Sequence, residues 1–244
     1  MKQVLLTVKE NTPLTENVYK MTLCGDCSDI TASGQFVNIK LDGLFLRRPI
    51  SVCDKDGDTL TIIYKVVGKG TEAMKELKNG AVLDVLTGLG NGYDLEKSGN
   101  FPLLIGGGVG VPPMYLLAKK LIEQGKRVSV VLGFNTKSEV FYEDEFKSLG
   151  CEVTVTTVDG SYGVKGFVTN AMDIDYTYFY CCGPEPMLKA VYKTSNTSGQ
   201  FSFEERMGCG FGACMGCSCK TITGYKRICK DGPVLEKEEI LWED

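Results

Sequence analysis

The sequence predicts a multidomain protein in three consecutive parts. A six-stranded antiparallel β-barrel is expected over residues 1–97, an α/β domain with a parallel sheet over 98–200, and a small cysteine-rich domain over 201–244. Three observations lead there. The first hundred residues read as short β-branched segments parted by turn formers. The next hundred alternate apolar strands with helical spacing. The last stretch crowds five of the 11 cysteines into 21 residues.

The barrel strands are expected at Val4–Val8, Val18–Leu23, Gln35–Leu41, Ile50–Cys53, Thr59–Lys65 and Ala81–Leu86. Turn formers such as Asp56-Gly57-Asp58 and Asn79-Gly80 separate them, and Thr71–Lys78 reads as a helix. From Leu103–Ile105 the period changes. A glycine run follows that strand, then Met114, Leu117, Ala118, Leu121 and Ile122 recur at helical spacing until Gly125. Strands at Val128–Leu132, Cys151–Val158 and Tyr176–Cys182 alternate with helices over Glu139–Leu149 and Glu185–Lys193.

Composition removes whole classes. A net charge of -4 argues against a nucleic-acid partner. No apolar run reaches the roughly 18–20 residues that span a bilayer, and the N-terminus lacks a signal peptide's apolar stretch, so a cytoplasmic protein is expected. The absence of histidine excludes Ser-His-Asp and Cys-His catalysis and histidine metal triads. Cysteines in a cytosolic chain point to a metal site or redox chemistry rather than to disulfides.

Cys209, Cys214 and Cys217 form C-x4-C-x2-C, and Cys229 follows after eleven further residues. That is the plant-type 2Fe–2S spacing. Each of two irons takes two thiolates, and three can come from one wrapping loop rich in small residues. A structural zinc site is the competing reading, since zinc loops commonly use C-x2–4-C pairs, but a C-x4-C-x2-C triplet packed with glycine fits a cluster better. Cys219 lies too near Cys217 to reach round a cluster, so Cys229, after a hairpin through Thr223-Gly224-Tyr225, is expected as the fourth ligand.

Gly106-Gly107-Gly108-Val109-Gly110 joins a strand to a helix, a setting that suits a pyrophosphate. The G-x-G-x-x-G fingerprint is absent, and Pro112-Pro113 also serves as a plain helix start. Arg47-Arg48-Pro49-Ile50-Ser51 enters a barrel strand, where an arginine can grip a phosphate by a bidentate contact. Ile63-Tyr64-Lys65 ends another strand, and Gly68-Lys69-Gly70-Thr71 opens the helix. A surface arginine pair and an ordinary turn explain these residues equally well on physical grounds.

Taken together, R-P-x-S, G-x-G-T, the glycine loop and Cys182-Gly183-Pro184 resemble the ferredoxin–NADP reductase superfamily, which pairs an FAD-binding barrel with a nicotinamide domain. With Asp159-Gly160-Ser161-Tyr162-Gly163, Glu204-Glu205-Arg206-Met207-Gly208-Cys209 and Cys229-Lys230-Asp231-Gly232-Pro233, the chain resembles the electron-transfer subunits of NAD-dependent (type B) dihydroorotate dehydrogenases along essentially its whole length. The resemblance implies FAD on Arg48, Pro49, Ile50, Ser51, Ile63, Tyr64, Lys65, Gly70 and Thr71. It implies NAD at Gly107, Gly108, Val109, Gly110, Cys182, Gly183 and Pro184, and a 2Fe–2S cluster on Cys209, Cys214, Cys217 and Cys229. Cys182 reads equally as a small buried strand-end residue. No arginine follows Leu132 in Gly133-Phe134-Asn135-Thr136 to meet a 2′-phosphate, which favours NAD over NADP.

The implied role is a relay in pyrimidine biosynthesis. Dihydroorotate is oxidised by a separate FMN-containing catalytic subunit, in a heterotetramer of two of each, and electrons pass through the cluster and FAD to NAD+. No catalytic residue for the carbon chemistry is expected in this chain. Other readings are a subunit of a sulfide dehydrogenase or an NADH-dependent ferredoxin–NADP reductase, a free-standing NAD(P)H reductase, and a zinc-stapled binding protein.

Overall fold

The computed structural model describes residues 1–242, so the last two positions of the expected 201–244 domain lie outside the described residues. β1 (Lys2–Pro13), β2 (Val18–Cys24), β3 (Phe36–Ile39), β4 (Arg48–Asp56), β5 (Thr59–Lys65) and β6 (Val82–Leu89) close into a barrel in the order β1-β2-β5-β4-β3-β6. Every pairing is antiparallel. Alternation puts Leu6, Val8, Met21, Leu23, Val37, Ile39, Ile62 and Tyr64 in its core.

α1 (Lys69–Lys75), between β5 and β6, starts two residues before the expected Thr71 and stops three before Lys78. The Thr71 hydroxyl explains the start: it accepts the N–H groups of Val67 (2.9 Å) and Gly68 (3.3 Å), fastening the first turn.

The second part runs β7 (Pro102–Gly107), α2 (Pro112–Glu123), β8 (Ser129–Phe134), α3 (Glu143–Ser148), β9 (Glu152–Thr157), β10 (Val164–Lys165), β11 (Tyr178–Cys182), α4 (Glu185–Thr194) and β12 (Gly199–Ser202). The helix expected over Glu139–Leu149 shrinks to α3. Phe141 and Tyr142 turn into the core instead, with Tyr142 at φ 67°, a conformation no helix interior accepts.

β13 (Ser218–Thr221) and β14 (Gly224–Arg227) form a hairpin, followed by α5 (Ile228–Asp231) and β15 (Val234–Glu236). β15 pairs antiparallel with β12, and the sheet reads β10-β9-β8-β7-β11-β12-β15. It therefore continues across residue 200 into the cysteine-rich stretch. Phe179 and Phe201 of this sheet share one apolar cluster with Cys217, Ile228, Cys229 and Leu235, and with Phe36 and Leu89 of the barrel.

Two consequences place the site. The strand order reverses between β7 and β11, which opens a crevice at their C-terminal ends. Val18, Cys53 and Ile63 of the barrel pack in one cluster with Val111, Met114 and Leu117, so the barrel closes one side of that crevice. No helix among the described residues is long and apolar enough to cross a membrane.

Candidate functional site

A cleft of about 780 Å³ occupies the switch point, within the range of small-ligand and cofactor pockets. The glycine loop Gly107–Gly110 and the Gly183-Pro184 turn form its floor, and Phe134 and Glu139 flank it. Val18 and Lys65 bring the barrel to its rim. The glycines are required by close approach. A Cβ on Gly110 would overlap the Cys182 carbonyl, and one on Gly107 would overlap the Met187 thioether. Gly108, at φ 52°, has open space where its side chain would be, so backbone is what faces a ligand there.

Cys182 lies at the end of β11, paired in register with Gly106, and is 2% exposed. Burial pushes its thiol far up, and the nearby Glu204 carboxylate adds to the effect. Glu204 enters the cleft from the segment after β12. It is exposed by surface area, yet desolvation by the neighbouring protein raises its carboxyl.

At the barrel, the two adjacent arginines separate. Arg47 is committed to structure: it pairs with the Asp84 carboxylate at 2.9 Å and donates to the Asp84 and Asn38 carbonyls. Arg48 donates to the backbone carbonyls of Leu46 and Arg47, with no carboxylate partner among the described residues. Its guanidinium fills the notch left by Gly70, where a Cβ would overlap it. An uncancelled charge in a shaped notch fits a pyrophosphate.

Ser51 and Pro49 sit on β4 opposite Phe36 and Asn38 of β3. Along β5, Ile63 faces the interdomain cluster and Lys65 the cleft, whereas Tyr64 points the other way. The Tyr64 ring stacks on Tyr19, and its hydroxyl donates to Asn11 Oδ1 at 2.9 Å. The Tyr64 side chain is thus committed within the barrel.

The four cysteines assemble as two pairs. The Cys214 N–H lies against Cys209 Sγ, and the Cys229 N–H against Cys217 Sγ. Among the described residues no three metal-ligating side chains gather at one point. Two thiolates per metal is the donor set of a binuclear cluster. Cys209 Sγ also accepts the N–H of Ala213 (3.2 Å) and Cys214 (3.5 Å), and Cys217 Sγ that of Cys229 (3.4 Å). Burial pushes the Cys209 thiol up, but the loop N–H donors outweigh it and bring it to about 6. Gly208 leaves room beside Cys214 Sγ, since a Cβ there would come within 3.2 Å of it. Cys219 lies on β13 opposite Lys226, and its thiol is raised by burial.

Three contributors carry no signal in the sequence. Arg227 clamps the cluster loop, donating to the Gly212 carbonyl at 3.0 Å while paired with Asp231 at 2.9 Å. The Thr15–Asn17 turn becomes a wall of the cleft only because the barrel docks there. Asn38 of β3 is buried and reaches the cluster loop, with Nδ2 3.4 Å from the Cys209 carbonyl.

This barrel, switch-point cleft and cysteine-paired loop define an iron–sulfur flavoprotein of the ferredoxin–NADP reductase superfamily. Residues 204–241 match the model of the iron–sulfur cluster binding domain of dihydroorotate dehydrogenase B, and residues 104–193 that of the oxidoreductase NAD-binding domain. The chain is 44% identical to the dihydroorotate dehydrogenase B (NAD(+)) electron transfer subunit of Geobacillus sp. (strain WCH70), over 99% of both chains. It is 47% identical to that of Fusobacterium nucleatum, over 93% of this chain and 94% of the other. The chain belongs to the family of dihydroorotate dehydrogenase B electron-transfer subunits. Among solved structures, that of an NADH-dependent reduced ferredoxin-NADP oxidoreductase superposes with a TM-score of 0.88 and 31% identity, over 98% of this chain and 90% of the other.

Proposed function

We propose that the chain carries electrons between an FMN-containing dihydroorotate-oxidising subunit and NAD+, as one half of a dihydroorotate dehydrogenase B of two subunits of each kind. The observation that carries this reading is the pairing of Cys209 with Cys214 on the loop and of Cys217 with Cys229 of α5, in a segment packed against the flavin-type barrel, in a chain whose nicotinamide-type cleft abuts the same barrel.

FAD, when bound, exchanges a hydride with the nicotinamide and single electrons with the 2Fe–2S cluster. The chain's own residues bind and orient. Arg48, in its Gly70 notch, holds the FAD pyrophosphate, with Pro49, Ile50, Ser51, Ile63, Lys65, the Tyr64 backbone and Thr71 lining the rest. Gly107, Gly108, Val109 and Gly110 present backbone to the NAD pyrophosphate, and Cys182, Gly183 and Pro184 border the nicotinamide. Cys209 with Cys214 and Cys217 with Cys229 hold one iron each. Exposed Phe211 and Met215 on the cluster loop, with fully exposed Phe45 ahead of the flavin strand, supply an apolar face for the partner.

Reconstitution tests it. With the FMN subunit added, the complex is expected to reduce NAD+ with dihydroorotate, and neither subunit alone should do so. A chain that purifies with zinc in place of iron, or that never supports NAD+ reduction with that partner, overturns the reading. The 31% identity to the ferredoxin-NADP oxidoreductase supports a second reading, a subunit of that kind of complex. The protein that co-purifies distinguishes the two.

A further inference from the structure

We propose that Asn38 is the positioning residue that joins the cluster loop to the flavin strand and sets electron exchange between them. The inference rests on the proposed function, because it presumes that the loop holds a cluster and the barrel a flavin.

Asn38 is polar yet only 1% exposed. Its neighbours Val37 and Ile39 face the barrel core, so Phe36 and Asn38 face outward. That outer face is roofed by the cysteine-rich segment: Phe36 packs in one cluster with Cys217, Ile228 and Cys229. Asn38 completes the contact through its Nδ2, which donates to the carbonyl of Cys209, the first cysteine of the loop. Gly210, at φ 81°, closes over the same amide, and a Cβ there would overlap Asn38 Nδ2.

On the other side, Asn38 is the register partner of Pro49, between Arg48 and Ile50. Its own carbonyl accepts from Arg47. One side chain therefore touches the cluster loop while its backbone lies against the R-P-I-S strand. Its Oδ1 is buried with no hydrogen-bond partner among the described residues. An apolar side chain would avoid that desolvation cost, so the buried amide calls for an explanation, and its contact with the cluster loop supplies one. Each crossing moves one electron between flavin and cluster; no bond forms at Asn38 and no proton is held there.

The test uses the holoprotein with FAD and cluster loaded. Asn38→Leu keeps the branched shape and removes the donor, and Asn38→Ser, a smaller residue, is the second variant should the bulkier leucine fail to fold. Expected are wild-type FAD and iron contents, an altered EPR line shape of the reduced cluster, and at least a fivefold slower reduction of the cluster after NADH is mixed in. The initial bleaching of FAD by NADH should be unchanged. Wild-type EPR and wild-type cluster kinetics in a folded variant overturn the proposal, as does loss of the cluster from both variants, which makes Asn38 merely structural. If the wild-type protein itself carries no cluster or no flavin, it is the proposed function that fails.

Discussion

Cys229 and Cys219 put two thiols near Cys217, and geometry separates them. Cys219 is two residues along the strand, a span of roughly 6.5–7 Å in one direction. Cys229 returns through the hairpin, and its N–H meets Cys217 Sγ at 3.4 Å. Cys229→Ser is therefore expected to abolish the cluster's visible and EPR signals, with Cys219→Ser retaining them. The reverse result would refute the ligand set. Arg48 gives a second test. A charged hydrogen bond contributes about 1.5–3 kcal/mol, so Arg48→Ala should weaken FAD binding roughly ten- to a hundredfold. The cluster should stay, because its loop is anchored elsewhere. Flavin content that survives dilution unchanged would remove Arg48 from the site. Arg47→Ala differs in kind, since it frees Asp84 and strips a structural pair rather than a ligand contact.

Two elements behave as units. The cluster loop has no regular structure and contains left-handed positions at Gly210, Gly212 and Met215. Such a loop keeps its shape through outside contacts, and the Arg227–Asp231 pair supplies one at the Gly212 carbonyl. Arg227→Ala is expected to speed iron loss to a chelator several-fold, with FAD content unchanged. An iron-release rate equal to wild type would show that the clamp is dispensable. The glycine loop is the other unit. In Gly110→Ala the new methyl would overlap the Cys182 carbonyl. Overpacking of this kind costs about 1–3 kcal/mol. Stopped-flow reduction of FAD by NADH should slow at least tenfold, with FAD and iron retained. Unaltered kinetics together with an unaltered Tm would mean that the loop has slack the structure does not show.

At the scale of the molecule, the parts are less separate than their chemistry. One apolar cluster joins barrel to α/β domain, and another joins both to the cysteine-rich segment. Stripping the cluster anaerobically should therefore leave a folded protein whose FAD is still reduced by NADH, since the cleft and barrel meet without the cluster loop. Transfer to the partner subunit should cease. Calorimetry of the stripped protein is expected to give one main transition for barrel and sheet. Loss of NADH-driven flavin reduction on stripping would contradict this division of labour.

The sequence by itself determined the chemistry that depends on local spacing. C-x4-C-x2-C, the glycine run after an apolar strand, and alternation along the barrel strands are all properties of neighbours in the chain, and periodicity records them. It also told α/β from all-β, because the period changes near residue 100. Only the tertiary structure decided what depends on residues far apart. Tyr64 turned inward to Asn11 because strand alternation assigned it to the core, and α3 was cut short because Phe141 and Tyr142 were needed inside. β15 joined the sheet of an earlier part because β12 offered an open edge, and four residues or fewer of strand leave too faint a pattern to read. Arg47 and Arg48 are identical letters side by side. Asp84, 37 positions away, took one into an ion pair, and Gly70, in the first turn of α1, gave the other a notch with no carboxylate partner among the described residues. Asn38 is the extreme case. Nothing near it in the chain hints at Cys209, 171 positions on, and only the folded barrel brings the two into contact.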